Sequence, residues 1–530
     1  MSEPLLTRRA ALYAGLAAVL YPQAAALRAA DAPISNPLAS FKLSWADALP
    51  WATVIDVTRV PGKTLEDRLA AAQAAVVARG GGVVYFPPGT YRFQDSIRLL
   101  DGVILRGADP GPVRSAQHEK FAPPTRFEFP RYVPLLEGDG TPIASAFKGI
   151  YLAQPATASH VGLIHLSIDH GHVHFADDGS DQHRAGSRRF VVGCLLRNAA
   201  VADPAIPNLT IGQLPWQRFT ARHHAAINVK AASHLLLANN RLPRSGDDNF
   251  TMSGYVLLGP RKMKTTVDGV VFDFDNRPGL YANHYSVGGP GGNGPDGTPD
   301  SHPHAFRPGI IIRDNFIYNS GRTAIGFAGD GVICSGNVIR FPPDVWRPTA
   351  TGQALTAGSS TNDNRAVEMR GWRWLVEDND YLVHRNWAFD RKYRINDGEG
   401  LMHEDHANST VRDSILRRNR GNTYLSIYKT AGIDGLLVEA NEISLADGRQ
   451  TIASGSAIYV SADRNKQRFP CRNVRIVGNR LKGGGILLAG DPSEKNLIAR
   501  NRHLGKESAP LHLAAVAELA DNEGFDVRRR

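Results

Sequence analysis

Between Gly309 and Arg340 the chain writes one pattern twice, GIIIRDNFIYNSGRTAIGFAGDGVICSGNVIR: an apolar run, a polar step, an asparagine, a shorter apolar run, then glycine. Asn315 and Asn337 stand 22 residues apart, and the same interval separates Asn419 from Asn441 and Asn479 from Asn501. Weaker copies read HLLLANNRL from His234 to Leu242 and WLVEDNDYL from Trp374 to Leu382. That interval is about one turn of a parallel β-solenoid, whose coils give short strands to parallel sheets stacked about 4.8 Å apart. A sandwich of short strands would show turn signals every 8–12 residues or so, without a fixed longer phase. Asparagines at equivalent turns are expected to form an amide ladder along the stack. Intervals near 40 residues between copies correspond to two coils, or to one coil carrying a long loop.

The ends of the chain break the pattern. Thr64-Leu65-Glu66-Asp67 opens an Ala-rich run to about Arg79, with Thr64 and Asp67 forming a capping box and Gly80 to Gly82 as the stop. This helix is expected to close the N-terminal end of the solenoid, where open strand edges would otherwise invite other chains to pair. Pro510 to Ala520 reads as a short helix forming a C-terminal cap, followed by a solvated Arg-Arg-Arg tail. Residues 110–160, with PPTRFEFPRYVP, read as an insertion packed on the outside, and Gly288 to His304, GGPGGNGPDGTPDSHPH, as a long loop flanking a groove.

The helix and the stretch after it, GGGVVYFPPGTYRFQDSIRLLDGVILRGAD from Gly80 to Asp109, resemble the opening of the pectate-lyase superfamily of right-handed parallel β-helix proteins. In that superfamily an Ala-rich cap helix leads into a first coil of this form. The resemblance implies an all-β, right-handed parallel β-helix with an N-terminal capping helix, and a bias toward carbohydrate chemistry without naming a substrate. The expected division is an export signal over residues 1–32, a linker over 33–50, cap helix and first coil over 51–109, β-helix with loop insertions over 110–509, and C-terminal cap with basic tail over 510–530.

Thr7-Arg8-Arg9-Ala10-Ala11-Leu12, the apolar run to Leu20 and the small residues of Ala24 to Ala32 form a twin-arginine export pattern too short to span a bilayer. The expected destination is the periplasm or the exterior, and no later stretch reads as transmembrane. The formal net charge of +10 attracts anionic partners. With no nucleic-acid-binding motif beside it, the partner expected is a polysaccharide, acidic in one of the readings below. Cys194, Cys334 and Cys471 are too far apart for a disulfide framework and read as buried thiols. Asp169-His170-Gly171-His172-Val173-His174 would put three imidazoles on one face of a strand, an arrangement fit for a metal or for a polar surface.

Laying corresponding strands over one another (TAIGFAGDG, RAVEMRGW, EGLMHEDH, TYLSIYKT, SAIYVSAD, GGILLAGD) stacks Gly326 over Glu368. Arg370, Glu404, Lys429 and Ser461 then fall in or near the next outward column, with a slip of one residue open in the third and fourth rows. Side chains one coil apart lie about 5 Å from each other and two coils apart about 10 Å. Those distances suit glycosidases, which pair carboxyls about 5 Å apart when retaining and about 6.5–9.5 Å apart when inverting. Glu368, Glu404 and Asp405, with Asp397, Glu399 and His403 beside them, are the candidates, and Tyr428 and Tyr459, with Tyr424, offer rings to sugars. The alternative is a surface ladder pairing Glu368 with Arg370 and Glu404 with Lys429.

Ser233 to Phe250, SHLLLANNRLPRSGDDNF, is similar to the GDD element of polygalacturonase-type hydrolases, which places Asp247 and Asp248 at that family's paired aspartates and His284 near its Gly-His-Gly. The Asn-Thr-Asp and Arg-x-Lys motifs of those enzymes have no counterpart in this chain, and Gly-Asp-Asp-Asn also serves to close a turn. Hydrolysis by paired carboxylates, which requires no cofactor, is the preferred reading. The runner-up is β-elimination on a uronic-acid polymer, with Arg370 and Lys429 as base and neutraliser and Ca²⁺ held by Glu404 and Asp405. A non-catalytic glycan-binding solenoid is the third. Metal dependence and oligomeric state have no signal in the sequence. Gly326 and Ala328 would leave a low point over which a chain-like substrate passes.

Overall fold

A computed structural model describes residues 35–130, 148–154, 157–175, 187–199, 226–230, 233–245, 250–253, 264–267, 270–273, 310–318, 323–330, 332–341, 365–383, 399–404, 411–428, 430, 432–445, 455–464, 467–491 and 496–529. Three all-parallel sheets dominate them: a first of 14 strands, a second of 12 and a third of 13. Along the chain, strands join the first, second and third sheets in turn, so each circuit is one coil and sheet neighbours are strands of adjacent coils. The fold is a right-handed parallel β-helix, the hand that right-twisted strands favour for parallel crossovers.

The repeated asparagine explains the regularity. From Ile164 onward two residues join each strand of the first sheet to the next strand of the second, as Asp314-Asn315 joins Ile310–Arg313 to Phe316–Tyr318. The first of the two is left-handed: φ is +56° at Asp314, +56° at Asp378, +52° at Arg418 and +51° at Ala440. Such a backbone costs a side-chain-bearing residue roughly 1–2 kcal/mol, and the second residue offsets it. Each amide Nδ2 donates to the Oδ1 one coil on: Asn240 to Asn315 (3.1 Å), Asn315 to Asn337 (2.9 Å), Asn337 to Asn379 (2.9 Å) and Asn379 to Asn419 (3.0 Å). The ladder continues through Asn441, Asn479 and Asn501 to Asn522. The same Nδ2 also donates to a strand carbonyl, as Asn379 does to Cys334, so these buried amides are paired. Asn337, Asn379 and Asn419 are direct neighbours, so the intervals near 40 residues are single coils with long loops.

Period two sorts the strands. In the third sheet Val173, Ile227, Ile325, Val367, Leu425 and Ile458 stand in register and are buried in the core. All three cysteines are buried too, and burial pushes the thiols of Cys194 and Cys471 up to about 12. At the N-terminal end the helix Leu65–Val77 starts at the expected capping box, Thr64 Oγ1 accepting from the Asp67 N–H at 3.0 Å. It buries Leu69, Ala72 and Val76 in the core. Gln73 bonds the carbonyl of Arg98 and the N–H of Leu100, meeting the open edge of the third sheet with side-chain hydrogen bonds.

Three segments depart from expectation. Residues 510–520 are not helical: Ala509–Ala514 and Glu518–Ala520 are strands, with Leu511 and Leu513 in register with Ile486 and Leu488. The sheet template decides between two periods that a short Ala-rich run satisfies equally. The tail is also a strand, Phe525–Arg529, with Arg528 and Arg529 exposed. Within the expected insertion, Thr125–Glu128 belongs to the second sheet and puts Phe127 against Phe86 and Phe93, at ring-centroid distances of 4.7 and 5.0 Å. The described part of the expected linker is packed: Leu38, Ala46 and Leu49 are buried, with Trp51 after them, against Phe190, Ile164 and Leu236 on the outside of the first sheet. Residues 1–34 and Gly288 to His304 lie outside the described residues.

Two stability predictions follow from this packing. Asn379→Ala leaves buried partners on both neighbouring coils unpaired and should cost about 3 kcal/mol, whereas Arg472→Ala, at an exposed ion pair, should cost under about 1 kcal/mol. Urea titrations with an unchanged m-value check this. His165, whose imidazole burial pushes down to about 4, stays neutral while the unfolded form protonates near 6.5. Its share of the stability is therefore whole above pH 6.5 and is lost as pH falls from there toward 4, by about 3 kcal/mol. His165→Asn, which tolerates the φ of +53°, should flatten that limb of the stability–pH curve.

Candidate functional site

The ladder corner admits only two residues per coil, so the long connections fall at the other two corners, on either side of the third sheet. Residues 342–364 and 384–398 enter third-sheet strands, and 254–309, which include the antiparallel pair Lys264–Val267 and Val270–Asp273, and 405–410 leave them. The outward face of this sheet is therefore the floor between two rows of loops, where a solenoid gathers function.

Its outward columns are fixed by register. One runs Tyr151, His174, Asn228, Thr251, Gly326, Glu368, Met402, Ser426, Tyr459, Leu487 and His512. Gly326 stands beside Glu368 as the aligned sequence implied. In the next column Ala328 pairs with Arg370, Glu404 with Tyr428 and Ser461 with Ala489. Tyr428, not Lys429, thus shares the column of Glu404: the TYLSIYKT row slips by one. His403 pairs with Met369 and Ile427, both in the core, so its position belongs to a core column rather than to the groove.

Glu368 is only 6% exposed although its position alternates with core-facing Val367 and Met369. Its Oε2 accepts from Arg365 Nη1 at 2.7 Å and from Thr323 Oγ1 at 3.5 Å. Arg365 is thus a partner of Glu368, and the side chain of Arg370 lies outside the described ones. Position 399, a glutamate, is in register with Arg365 at the start of the strand, so two acidic positions flank one buried guanidinium. Arg365 lies at the corner, where period two no longer tells in from out; its only signal in the sequence is an arginine at each end of RAVEMR. The strand places Glu404 one coil and two residues from Glu368 on the same face, since Glu368 pairs with Met402. With about 4.8 Å per coil and 3.3 Å per residue, their backbone positions are about 8 Å apart.

Tyr428 and Tyr459 lie half-buried on this face, edge to face with ring centroids 6.3 Å apart. Burial raises the Tyr459 phenol above its ordinary range, with a hydrogen bond to Ser461 opposing. Tyr424 is buried in the core and unavailable to a sugar. Asp247, Asp248, His284, Asp397, Asp405 and Lys429 lie outside the described residues, and Arg370, Glu399, His403 and Glu404 are placed by backbone register alone. The three histidines do not share a face: His170 takes a left-handed turn at φ +61° before the strand, while His172 and His174 lie on it with rings 5.7 Å apart. Among the described residues no group of three or more metal-binding side chains comes together, and no helix is long and apolar enough to cross a membrane.

No family model matches the sequence, and no curated protein does. Solved structures do. The catalytic unit of a GH87 α-1,3-glucanase from Streptomyces thermodiastaticus aligns at 14% identity over 90% of this chain and 69% of its own, with a TM-score of 0.40. The A-module of an Azotobacter vinelandii mannuronan C-5 epimerase aligns at 13% identity over 90% and 97%, TM-score 0.35. A mutant tailspike of the E. coli bacteriophage HK620, solved with a pentasaccharide, aligns at 11% identity over 87% and 69%, TM-score 0.43.

The Arg365–Glu368 pair makes its own prediction. Arg365→Ala strands a buried carboxylate and should destabilise the protein by about 3–5 kcal/mol, while Glu368→Gln keeps a hydrogen-bond acceptor and should cost less than half of that. Thermal unfolding of both variants and the double variant checks it; a double variant whose loss equals the sum of the two single losses would show the pair to be uncoupled.

Proposed function

We propose that the protein is a carbohydrate-active enzyme that hydrolyses glycosidic bonds of a polysaccharide lying along the third sheet. The observation that supports this best is the placement of Glu368 and Glu404 on one face with backbone positions about 8 Å apart, which lets their carboxyls reach the separation at which an inverting glycosidase leaves room for its water. In this reading the two carboxyls divide the work. Glu368, out of solvent beside Arg365, is held as the carboxylate base that activates water. Glu404, in register with half-buried Tyr428, protonates the leaving oxygen. Tyr428 and Tyr459 give the sugar an apolar wall and two phenols, and Gly326 leaves the floor low on the coil before Glu368.

A second reading uses the same floor for β-elimination on a uronide, with positions 370 and 429 supplying base and neutraliser. What favours it is the basic balance of the chain, +10 at pH 7. The twin-arginine pattern at residues 7–12 makes export to the periplasm or beyond part of the proposal, since polysaccharide is met there.

A panel of neutral and acidic glycans separates the readings. Hydrolysis yields new reducing ends without ultraviolet absorbance, and both Glu368→Gln and Glu404→Gln should lower turnover by about 10²–10⁴-fold with the fold intact. Undiminished turnover in Glu404→Gln removes that residue from the mechanism. Products absorbing as unsaturated uronides select elimination.

A further inference from the structure

The outward column that carries Glu368 begins, at its N-terminal end, with a cluster that the cleavage chemistry does not use. Arg98, Tyr151, His174 and Asn228 occupy the same column position on four successive strands, in register, and alternate with buried Ile97, Leu99, Ile150, Leu152, Val173 and Phe175. The Arg98 guanidinium lies over the Tyr151 ring at 4.7 Å from its centroid, and the His174 ring follows at 5.4 Å. The Tyr151 hydroxyl is 2.6 Å from Nε2 of His172, a residue 2% exposed in the neighbouring outward column. These groups stack along the solenoid axis, so ring edges, a guanidinium edge and an amide face outward at intervals of about 4.8 Å.

Arg98 is exposed and makes no ion pair among the described residues. The acid whose field it feels, Asp95, is held by Lys148 at 2.6 Å. Burial pushes the Tyr151 phenol up to about 12, so near neutral pH it keeps its proton, and its hydrogen bond with His172 Nε2 fixes both rings. A guanidinium held by stacking, exposed and lacking a carboxylate, is preorganised for a planar anion with two oxygens. The chain therefore offers a built cationic edge on the floor of its groove.

We propose that Arg98, Tyr151, His174 and Asn228 form a distal subsite that binds the carboxylate-bearing ring of a uronic-acid residue, and hence that the polysaccharide is acidic. This rests on the reading of the third sheet as a glycan groove. Arg98 lies six strands from Glu368, roughly 29 Å at about 4.8 Å per strand, and Asn228 three. Only a chain of several sugars reaches both, so the subsite selects long acidic substrates and leaves short ones unaffected.

The test measures binding of an oligogalacturonate and of its carboxyl-reduced, neutral counterpart by calorimetry, in a Glu368→Gln background so that ligand is not consumed. The protein with Arg98 intact should bind the acidic oligomer at least tenfold more tightly than the neutral one. Arg98→Gln, a surface change that should leave the melting temperature in place, should abolish that ratio, and Tyr151→Ala should weaken both ligands while Tyr151→Phe weakens them less. An acid-to-neutral ratio unchanged by Arg98→Gln, or no binding of the acidic oligomer, overturns the inference. Reducing-end release from the glycan panel is scored separately: if wild-type protein cleaves nothing but Arg98-dependent binding persists, the hydrolytic reading falls and the subsite stands.

Discussion

Everything in this fold depends on a two-residue corner. The left-handed residue turns the chain from the first sheet to the second in the least space that a strand can turn, and the asparagine after it ties the turn to the coils above and below. A longer corner would move the amide off the axis and leave buried groups of two neighbours unpaired, so from Ile164 onward the corner does not vary in length. Insertions are thereby excluded from one edge of the coil and collect at the other two. The groove is a consequence: the third sheet alone has variable corners on both sides.

That constraint also explains why the fold could be read and the site only in part. A residue type that must recur at one position of each coil leaves a period, and the 22-residue spacing of Asn315 and Asn337 states it directly. The capping box at Thr64 and Asp67 is legible for the same reason, being local chemistry at fixed spacing. Register on the third sheet is set instead by neighbouring strands across loops of unequal length. The alignment therefore found Gly326 beside Glu368 but gave Glu404 the wrong companion, Lys429 for Tyr428. Arg365 was invisible because its partner lies three residues away on its own strand, a relation that neither period two nor the coil repeat encodes. The C-terminal run failed for a related reason: Leu511 and Leu513 become a strand because Ile486 and Leu488 already offer the edge.

The outer faces of the first and third sheets differ in a way that bears on function. The first carries solvated ion pairs, Arg417 and Arg418 with Glu377, Arg418 with Asp378, and Arg472 with Asp434, each with at least one partner about a third or more exposed. Pairs of this kind contribute little to stability and are screened by salt, which suits a surface whose task is solubility. Among the described residues the third sheet carries a pair of another kind, Arg365 with Glu368, at 5% and 8% side-chain exposure. Taking two charges that far from water costs several kcal/mol per ion, and a pair of apolar side chains would fill the same volume more cheaply. Stability is therefore a weak account of why a charged pair stands there. A carboxylate held out of solvent by a fixed guanidinium is the kind of group that acid–base chemistry on a sugar can use. The contrast between the two faces, built from the same repeat, is the strongest physical reason to place function on the third sheet.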